Sequence, residues 1–522
     1  MRLTASLALF VFAAACATTP GHDTAARADT ALIIDAPSPA DLGRAVASPR
    51  QAGEPYYEAA KAAVDARAEA RGVLPAKNVI LFIGDGMGVS TITAGRIYAG
   101  QKRGLDGESY KLAMETLPWG GLSKTYSHDF QTADSAATAT AMVAGLKTNS
   151  GIVGLTKAVG RGRCDAVPGQ GTDSLFELAE RNGLATGVVS TARLTHATPA
   201  SVYGESADRG WEDDTAIPDG ADCKDLAAQL IDWPEGDGLE VALGGGRRHF
   251  LPVDVADPED DGATGNRRDG RNLVAEWEAK SADHKMIFDQ AGFDAVDFKT
   301  QRVLGLFERS HMEYEYDRLE DKAGEPSLAE MTKAAITRLS QDEDGFVLMV
   351  EGGRIDHAHH GGNAARALED LDAFDLAVKA AIEMTDADET LILVTADHSH
   401  TLVIQGYQIR NNPILGKAQI SPGTPARAAD GKPFTTLSYA NGPGAVCVAP
   451  SKDKPCVRPD LSDVDTTFRD FRQQALLPSP SETHAGEDVA VFAGGPGAEL
   501  VGGVIEQHEI FHILAKAAGL IE

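Results

Sequence analysis

Six acids and histidines fall in three short stretches: Asp85 in "NVILFIGDGMG", Glu351 with Asp356 and His360 in "VEGGRIDHAHHGG", and Asp397 with His398 in "TADHSH". Carboxylates brought together away from water repel one another and lose solvation, so such a group calls for a cation between them. Imidazole beside carboxylate suits zinc, whereas carboxylate with a hydroxyl suits magnesium. Asp356 and His360 stand four apart, a spacing that puts both on one face of a helical turn. His484, in "SETHAGEDVAVF", can complete a three-ligand zinc site. A nucleophile is at hand in "QTADSAATATAMVAGL", where Asp134 reads as a helix N-cap, Ser135 opens the first turn and the alanines sustain the helix. A helix N-terminus stabilises an anion such as phosphate and helps to depress the pKa of a serine hydroxyl.

These residues need strands to carry them. "NVILF" runs apolar without alternation into an acid held between glycines, as a strand covered on both faces does where it leaves a parallel sheet. Further strands are expected at 185–191, 345–353, 390–400 and 488–495, with helix-like stretches between them, which predicts a parallel sheet with crossover helices. The sites then lie outside the carboxyl ends of the strands, where glycines let the backbone turn and approach a ligand. "EPYYEAAKAAVDARAEAR", residues 54–71, reads as a surface helix. A stretch rich in Gly, Pro and Asn at about 405–480 reads as an insertion above the strand ends and not as a separate domain.

The chain has 522 residues, 43% of them hydrophobic, enough for a large catalytic domain. Its formal net charge of −29 argues against binding nucleic acid or anionic membranes through a general positive field. "MRLTASLALFVFAAAC" reads as an export signal over residues 1–16, too short to span a bilayer. "AAAC" is also compatible with a lipoprotein box ending at Cys16, which gives either a lipid anchor or ordinary cleavage, in the periplasm or at the outer membrane. Residues 17–53 read as a flexible tether, and 54–522 as one catalytic domain. Four cysteines remain, Cys164, Cys223, Cys447 and Cys456, suited to two disulfides in an oxidising compartment. Three pairings are open; proximity favours Cys447 with Cys456, which leaves Cys164 with Cys223.

The motifs "GDGMGVST", "DSAATAT", "VEGGRIDHAHH", "TADHSH" and "ETHAGEDVAVF" occur in the order found in the alkaline phosphatases, and the chain resembles that family from about Lys77 to near its C-terminus. The resemblance implies a three-layer α/β/α fold with a large, mostly parallel central sheet and a crown-like insertion. It implies two zinc ions and one magnesium: Asp356, His360 and His484 match the first zinc site, and Asp85, Asp397 and His398 the second. Asp85 would bridge to magnesium, with Thr198 from "THATPAS" and Glu351 as its other protein ligands. Ser135 matches the phosphorylated nucleophile, and Arg209 in "ADRGW" the phosphate-binding arginine. His196 resembles the vertebrate-type enzymes, which also carry calcium; Glu259, Phe307 by its carbonyl, Glu308 and Glu325 are the counterparts of that site, Glu325 standing where aspartate is expected. The two cysteine pairs fall near the family's disulfide positions, and a homodimer is implied.

The activity expected is hydrolysis of phosphate monoesters through a phosphoserine. A sulfatase would need a Cys-x-Pro-x-Arg type signature, which "DSAATAT" does not fit. A diesterase is disfavoured by Arg209, which suits the doubly charged monoester. A metal-bearing surface protein without turnover would have lost at least one of these residues.

Overall fold

A computed structural model of the chain describes residues 37–447 and 457–522. The export segment with Cys16, the first part of the expected tether, and Cys456 lie outside the described residues.

Ten strands form the central sheet: β1 (Asn78–Gly84), β2 (Trp119–Lys124), β3 (Ala185–Arg193), β4 (Val241–Gly245), β5 (His284–Ile287), β6 (Arg302–Leu306), β7 (Phe346–Gly352), β8 (Thr390–Ala396), β9 (Val489–Gly494) and β10 (Gly503–Glu506). They lie in the order β10-β2-β9-β8-β1-β7-β3-β4-β6-β5. Every neighbouring pair is parallel except those of β9, which runs antiparallel to both β8 and β2. All five strands expected from sequence form, and β1 pairs with β8 on one side and β7 on the other.

In β1 the residues Val79 to Ile83 are at most 1% exposed, because helices cover both faces of the sheet. One face packs Val79, Leu81 and Ile83 with the helices 135–144 and 509–517. The other packs Ile80 and Phe82 with the helices 328–339 and 364–384. The large mostly parallel sheet with helices on both sides is the three-layer fold anticipated from sequence. The segment 405–480 contributes only short strands, Leu437–Gly442 pairing with Leu402–Ile404 and Ala475–Pro478.

Residues 37–53 depart from the tether expected there, since they are fastened to the body of the protein. The Arg44 guanidinium donates to the carbonyls of Ala76, Lys77, Asp344 and Ala518. Arg50 pairs with Asp173 and Glu205, and the buried Gln51 donates to the carbonyls of Ala144 and Asp173. Isolated polar side chains do this anchoring, so no apolar run announces it. The expected surface helix forms as Pro55–Arg71 and buries Tyr57, Ala60 and Val64. Cys164 and Cys223 form a disulfide.

Two buried carboxyls near the start of β3 make stability depend on pH. Glu180 accepts the Thr186 hydroxyl, while Glu240 accepts the Thr186 N–H and pairs with Arg302. Burial, reinforced by their mutual proximity and by Asp237, pushes Glu180 up to about 8; burial first, and then Asp237, pushes Glu240 up to about 7. A carboxyl raised in the folded state holds its proton after the unfolded chain has lost its own near pH 4, so this stability is present at low pH and is lost as pH rises through 7 to 8. Glu180→Gln should therefore flatten the fall in thermal midpoint between pH 5 and 8. An equally steep fall in the variant would refute this assignment.

Candidate metal centre

Strands β8, β1 and β7, side by side and parallel, end level with one another: Gly84 pairs with Gly352 and with Ala396. Their carboxyl ends therefore deliver Asp85, Glu351 and Asp397 to one place, all fully buried. The glycines beside Asp85 meet a steric demand. A Cβ on Gly86, whose φ is +69°, would lie 2.4 Å from the His400 ring, and one on Gly88 would lie 1.8 Å from the Ser399 hydroxyl. Gly86 N–H donates to Asp397 Oδ1 at 2.9 Å, which ties the turn to the next strand end.

Asp356 and His360 lie on the helix Arg354–His360 that follows β7. His360, His484 and His400 all face Asp356 Oδ1, at 3.3, 3.4 and 2.7 Å from their Nε2 atoms. His360 Nδ1 donates to the Glu482 carbonyl at 2.6 Å, and His484 Nδ1 to that of Ala133 at 2.8 Å. A carbonyl only accepts, so each ring carries its proton on Nδ1 and turns an Nε2 lone pair inward. Those two lone pairs stand 3.2 Å apart and face a carboxylate. Acceptors converging without a donor are repulsive unless a cation lies among them, and the carbonyl partners fix the tautomer a metal ligand requires.

His400 differs, because both of its nitrogens meet carboxylates: Asp356 at 2.7 Å and Glu482 at 2.5 Å. Burial works against its charge, but these two acids prevail and lift its pKa to about 9. It is an imidazolium that orients Asp356. The sequence reading passed over His400 and Glu482, although both sit inside quoted motifs, because the contact that gives them a role spans 82 residues.

Ser135 begins the helix Ser135–Ala144 and is 2% exposed. Its hydroxyl lies 3.2 Å from His398 Nε2 and 3.4 Å from Asp85 Oδ1. His398 Nε2 also lies 3.2 Å from Asp397 and 3.4 Å from Asp85. Asp134 occupies the N-cap position without capping: its carboxylate accepts from Arg209 at 3.0 Å, from the Ser150 hydroxyl and from Gly151 N–H. The helix start is thus left open and Arg209 is held beside it. Burial opposes the charge of Arg209, but Asp134, Asp85 and Asp356 secure it.

Burial, then the nearby Asp397 and Asp356, drives the Asp85 carboxyl well above its ordinary range. Burial chiefly, with Asp397 and Asp356 adding, takes Glu351 up to about 7. Asp85 Oδ2, Glu351 Oε1, the Thr198 hydroxyl and His398 Nδ1 are all buried without a hydrogen-bond partner. Such atoms are rare unless a missing ion satisfies them. Asp85, His196 and Glu351 can present ligand atoms within 4.8 Å of one another, as can Asp85, Asp356 and His398. His196 also meets Arg209 at 2.9 Å. His359, by contrast, is a core residue bonded to Tyr439 and Thr91.

Of the expected calcium ligands, Glu259 and Glu308 come together with Asp321, which was not anticipated. Glu325 accepts Glu313 N–H at 2.9 Å through one oxygen and keeps the other buried without a partner, and burial, with Glu308 and Asp321 nearby, drives its carboxyl well above the ordinary range. Burial and the neighbouring acids Glu259 and Asp321 push Glu308 up to about 8, although Arg247, paired with Glu259 at 2.9 Å, works against the shift. The Phe307 carbonyl accepts from Arg247 at 3.0 Å.

A family model described as alkaline phosphatase matches residues 76–520. The chain is 43% identical over 458 residues to the tissue-nonspecific alkaline phosphatase of Gallus gallus, covering 85% of this chain and 84% of that protein. It is 42% identical over 453 residues to the Homo sapiens isozyme, with coverage of 85% and 84%. Among solved structures, the Thermus thermophilus alkaline phosphatase is 25% identical with a TM-score of 0.61, over 86% of this chain and 92% of that one. The enzyme of the Antarctic bacterium TAB5 is 23% identical with a TM-score of 0.57, over 86% and 100%, and shares the fold. With the motifs, the sheet edge and these matches in agreement, the chain belongs to the alkaline phosphatase family.

Proposed function

We propose that the chain hydrolyses phosphate monoesters at the carboxyl edge of β8, β1 and β7, with Ser135 as the nucleophile. The observation that carries this reading is the set of inward-facing acceptors, orphaned carboxylate oxygens and the Thr198 hydroxyl around a serine at an open helix start. Asp356, His360 and His484 would hold one zinc, Asp85, Asp397 and His398 a second, and Asp85, Thr198 and Glu351 a magnesium, with His196 beside it. Bound there, the metals would supply positive charge against the serine alkoxide, the phosphoryl oxygens and the leaving oxygen. A TAB5 alkaline phosphatase mutant is described with magnesium bound. Glu259, Glu308, Glu325 and the Phe307 carbonyl, with Asp321, would hold a calcium ion.

The protein's own groups then divide the work. Ser135 Oγ attacks phosphorus in line with the leaving alcohol and forms the phosphoserine, which water opens with release of inorganic phosphate. Arg209, steadied by Asp134, forks two nonbridging oxygens. N–H groups of the first turn after Ser135 face the same oxygens. His400 keeps Asp356 in place between its histidines.

The test is inorganic phosphate release from an aryl phosphate at mildly alkaline pH, before and after stripping with a chelator and restoring zinc and magnesium. Release that disappears on stripping and returns with metal is expected. A fully metallated protein that releases none would sink the reading. Export, a lipid anchor at Cys16 and a homodimer are also proposed, the last supported by exposed Tyr407, Leu476 and Leu477 on the 405–480 segment. The mass of the mature protein, and light scattering in solution, would each expose an error.

A further inference from the structure

Beside Arg209 lies a second cluster, and two of its three members, His311 and His357, have no part in the proposed reaction. His196, His311 and His357 bring ring nitrogens within 4.8 Å of one another, and all three rings are partly exposed. The His311 and His357 ring centroids are 4.0 Å apart, and each lies within 5.5 Å of that of His196. Three imidazoles suggest a metal, but the surrounding charges speak against one. Arg209 faces His196 at 2.9 Å, Arg193 faces His311, and Arg354 faces His357 at 3.3 Å. A cation would have to settle among three guanidinium groups.

The arginines are unequally satisfied. Arg193 forks Glu212 with two nitrogens at 2.7 Å, and Arg209 is held by Asp134. Arg354 has no carboxylate ion pair among the described residues. Its plane stacks on the Tyr314 ring at 3.7 Å, and its Nε is buried without a partner. Stacking fixes a guanidinium in place while leaving its edge free to donate. Guanidinium N–H groups that face imidazole nitrogens are donors an oxyanion would take over, since charged oxygen is the better acceptor.

We propose that Arg354, with His357 and His311, forms a second anion subsite next to the Arg209 phosphate position, and that it takes a second phosphate group carried on the alcohol portion of the substrate. This rests on the phosphomonoesterase reading and narrows its substrate class to bisphosphorylated esters. A phosphate oxygen trio suits a stacked guanidinium edge flanked by imidazoles, whereas an uncharged alcohol portion leaves those donors without an acceptor.

The experiment uses the full metal-loaded chain with Ser135→Ala, so that binding is read without turnover. Calorimetric titration compares propyl phosphate with propane-1,3-diol bisphosphate. The bisphosphate should bind about tenfold more tightly, well beyond the roughly twofold advantage of two equivalent ends, a difference in the range of one charge-assisted contact. Arg354→Gln should erase that advantage. His311→Asn, farther from Asp356, should shrink it, which separates loss of the subsite from disturbance of the metal ligands. Equal affinity for the two ligands, or an advantage that survives Arg354→Gln, would overturn the proposal. Failure of the underlying reading looks different: the native enzyme would leave propyl phosphate intact.

Discussion

Ser135→Ala is expected to lower turnover of an aryl phosphate by on the order of 10³-fold or more, while bound zinc and magnesium stay at native levels. Loss of the nucleophile removes the covalent route and leaves direct attack by water. The proposed ligand atoms belong to other residues: Asp85, His398 and Asp397 come from the ends of β1 and β8, and Asp356, His360 and His484 from elsewhere again. Removing one hydroxyl that is 2% exposed leaves a space too small to disturb them. The checks are metal content by atomic emission and a burst experiment, since phosphoenzyme should form in the native protein and be absent in the variant. Undiminished turnover would refute the covalent route.

Arg209→Gln should reduce kcat/KM by about 10² to 10³, the usual scale for losing a preorganised donor to developing charge. The effect should be larger for monoesters than for diesters, because the fork is matched to a doubly charged phosphoryl group. Asp134 makes the variant informative. In the native protein its carboxylate is shared among Arg209, Ser150 and Gly151. Without Arg209 it becomes an uncompensated negative charge at the helix start, where the phosphate must bind. Asp134→Asn combined with Arg209→Gln should therefore recover part of the loss, and a double variant no better than the single would show that Asp134 only supports the loop.

The expected site residues that the structure brings together share one property: each stands in a short stretch that also holds another of them or a glycine turn. Asp85 follows an apolar run, Asp356 and His360 are four apart, and Asp397 and His398 are adjacent, so local spacing is enough. His400 with Glu482, Arg44 with four carbonyls, and Arg354 on Tyr314 depend on partners 32 to 474 residues away. Nothing local distinguishes Arg44 from any surface arginine. The sheet was legible because buried parallel strands read as unbroken apolar runs. The antiparallel setting of β9 was not, because an apolar run carries no direction. Asp321 was passed over because nothing in its local sequence marks which of the loop's acids turns toward Glu259 and Glu308.

The place of β9 bears on the order in which the protein is made. This strand enters the middle of the sheet, between β8 and β2, although it is among the last segments of the chain to be synthesised. Until residues 489–494 arrive, β8 and β2 present bare hydrogen-bonding edges, and His484 is missing from its partners. A chain that emerges from its N-terminus would thus stay open along that seam until these residues arrive, and could not bring His484 to the proposed first metal position before then.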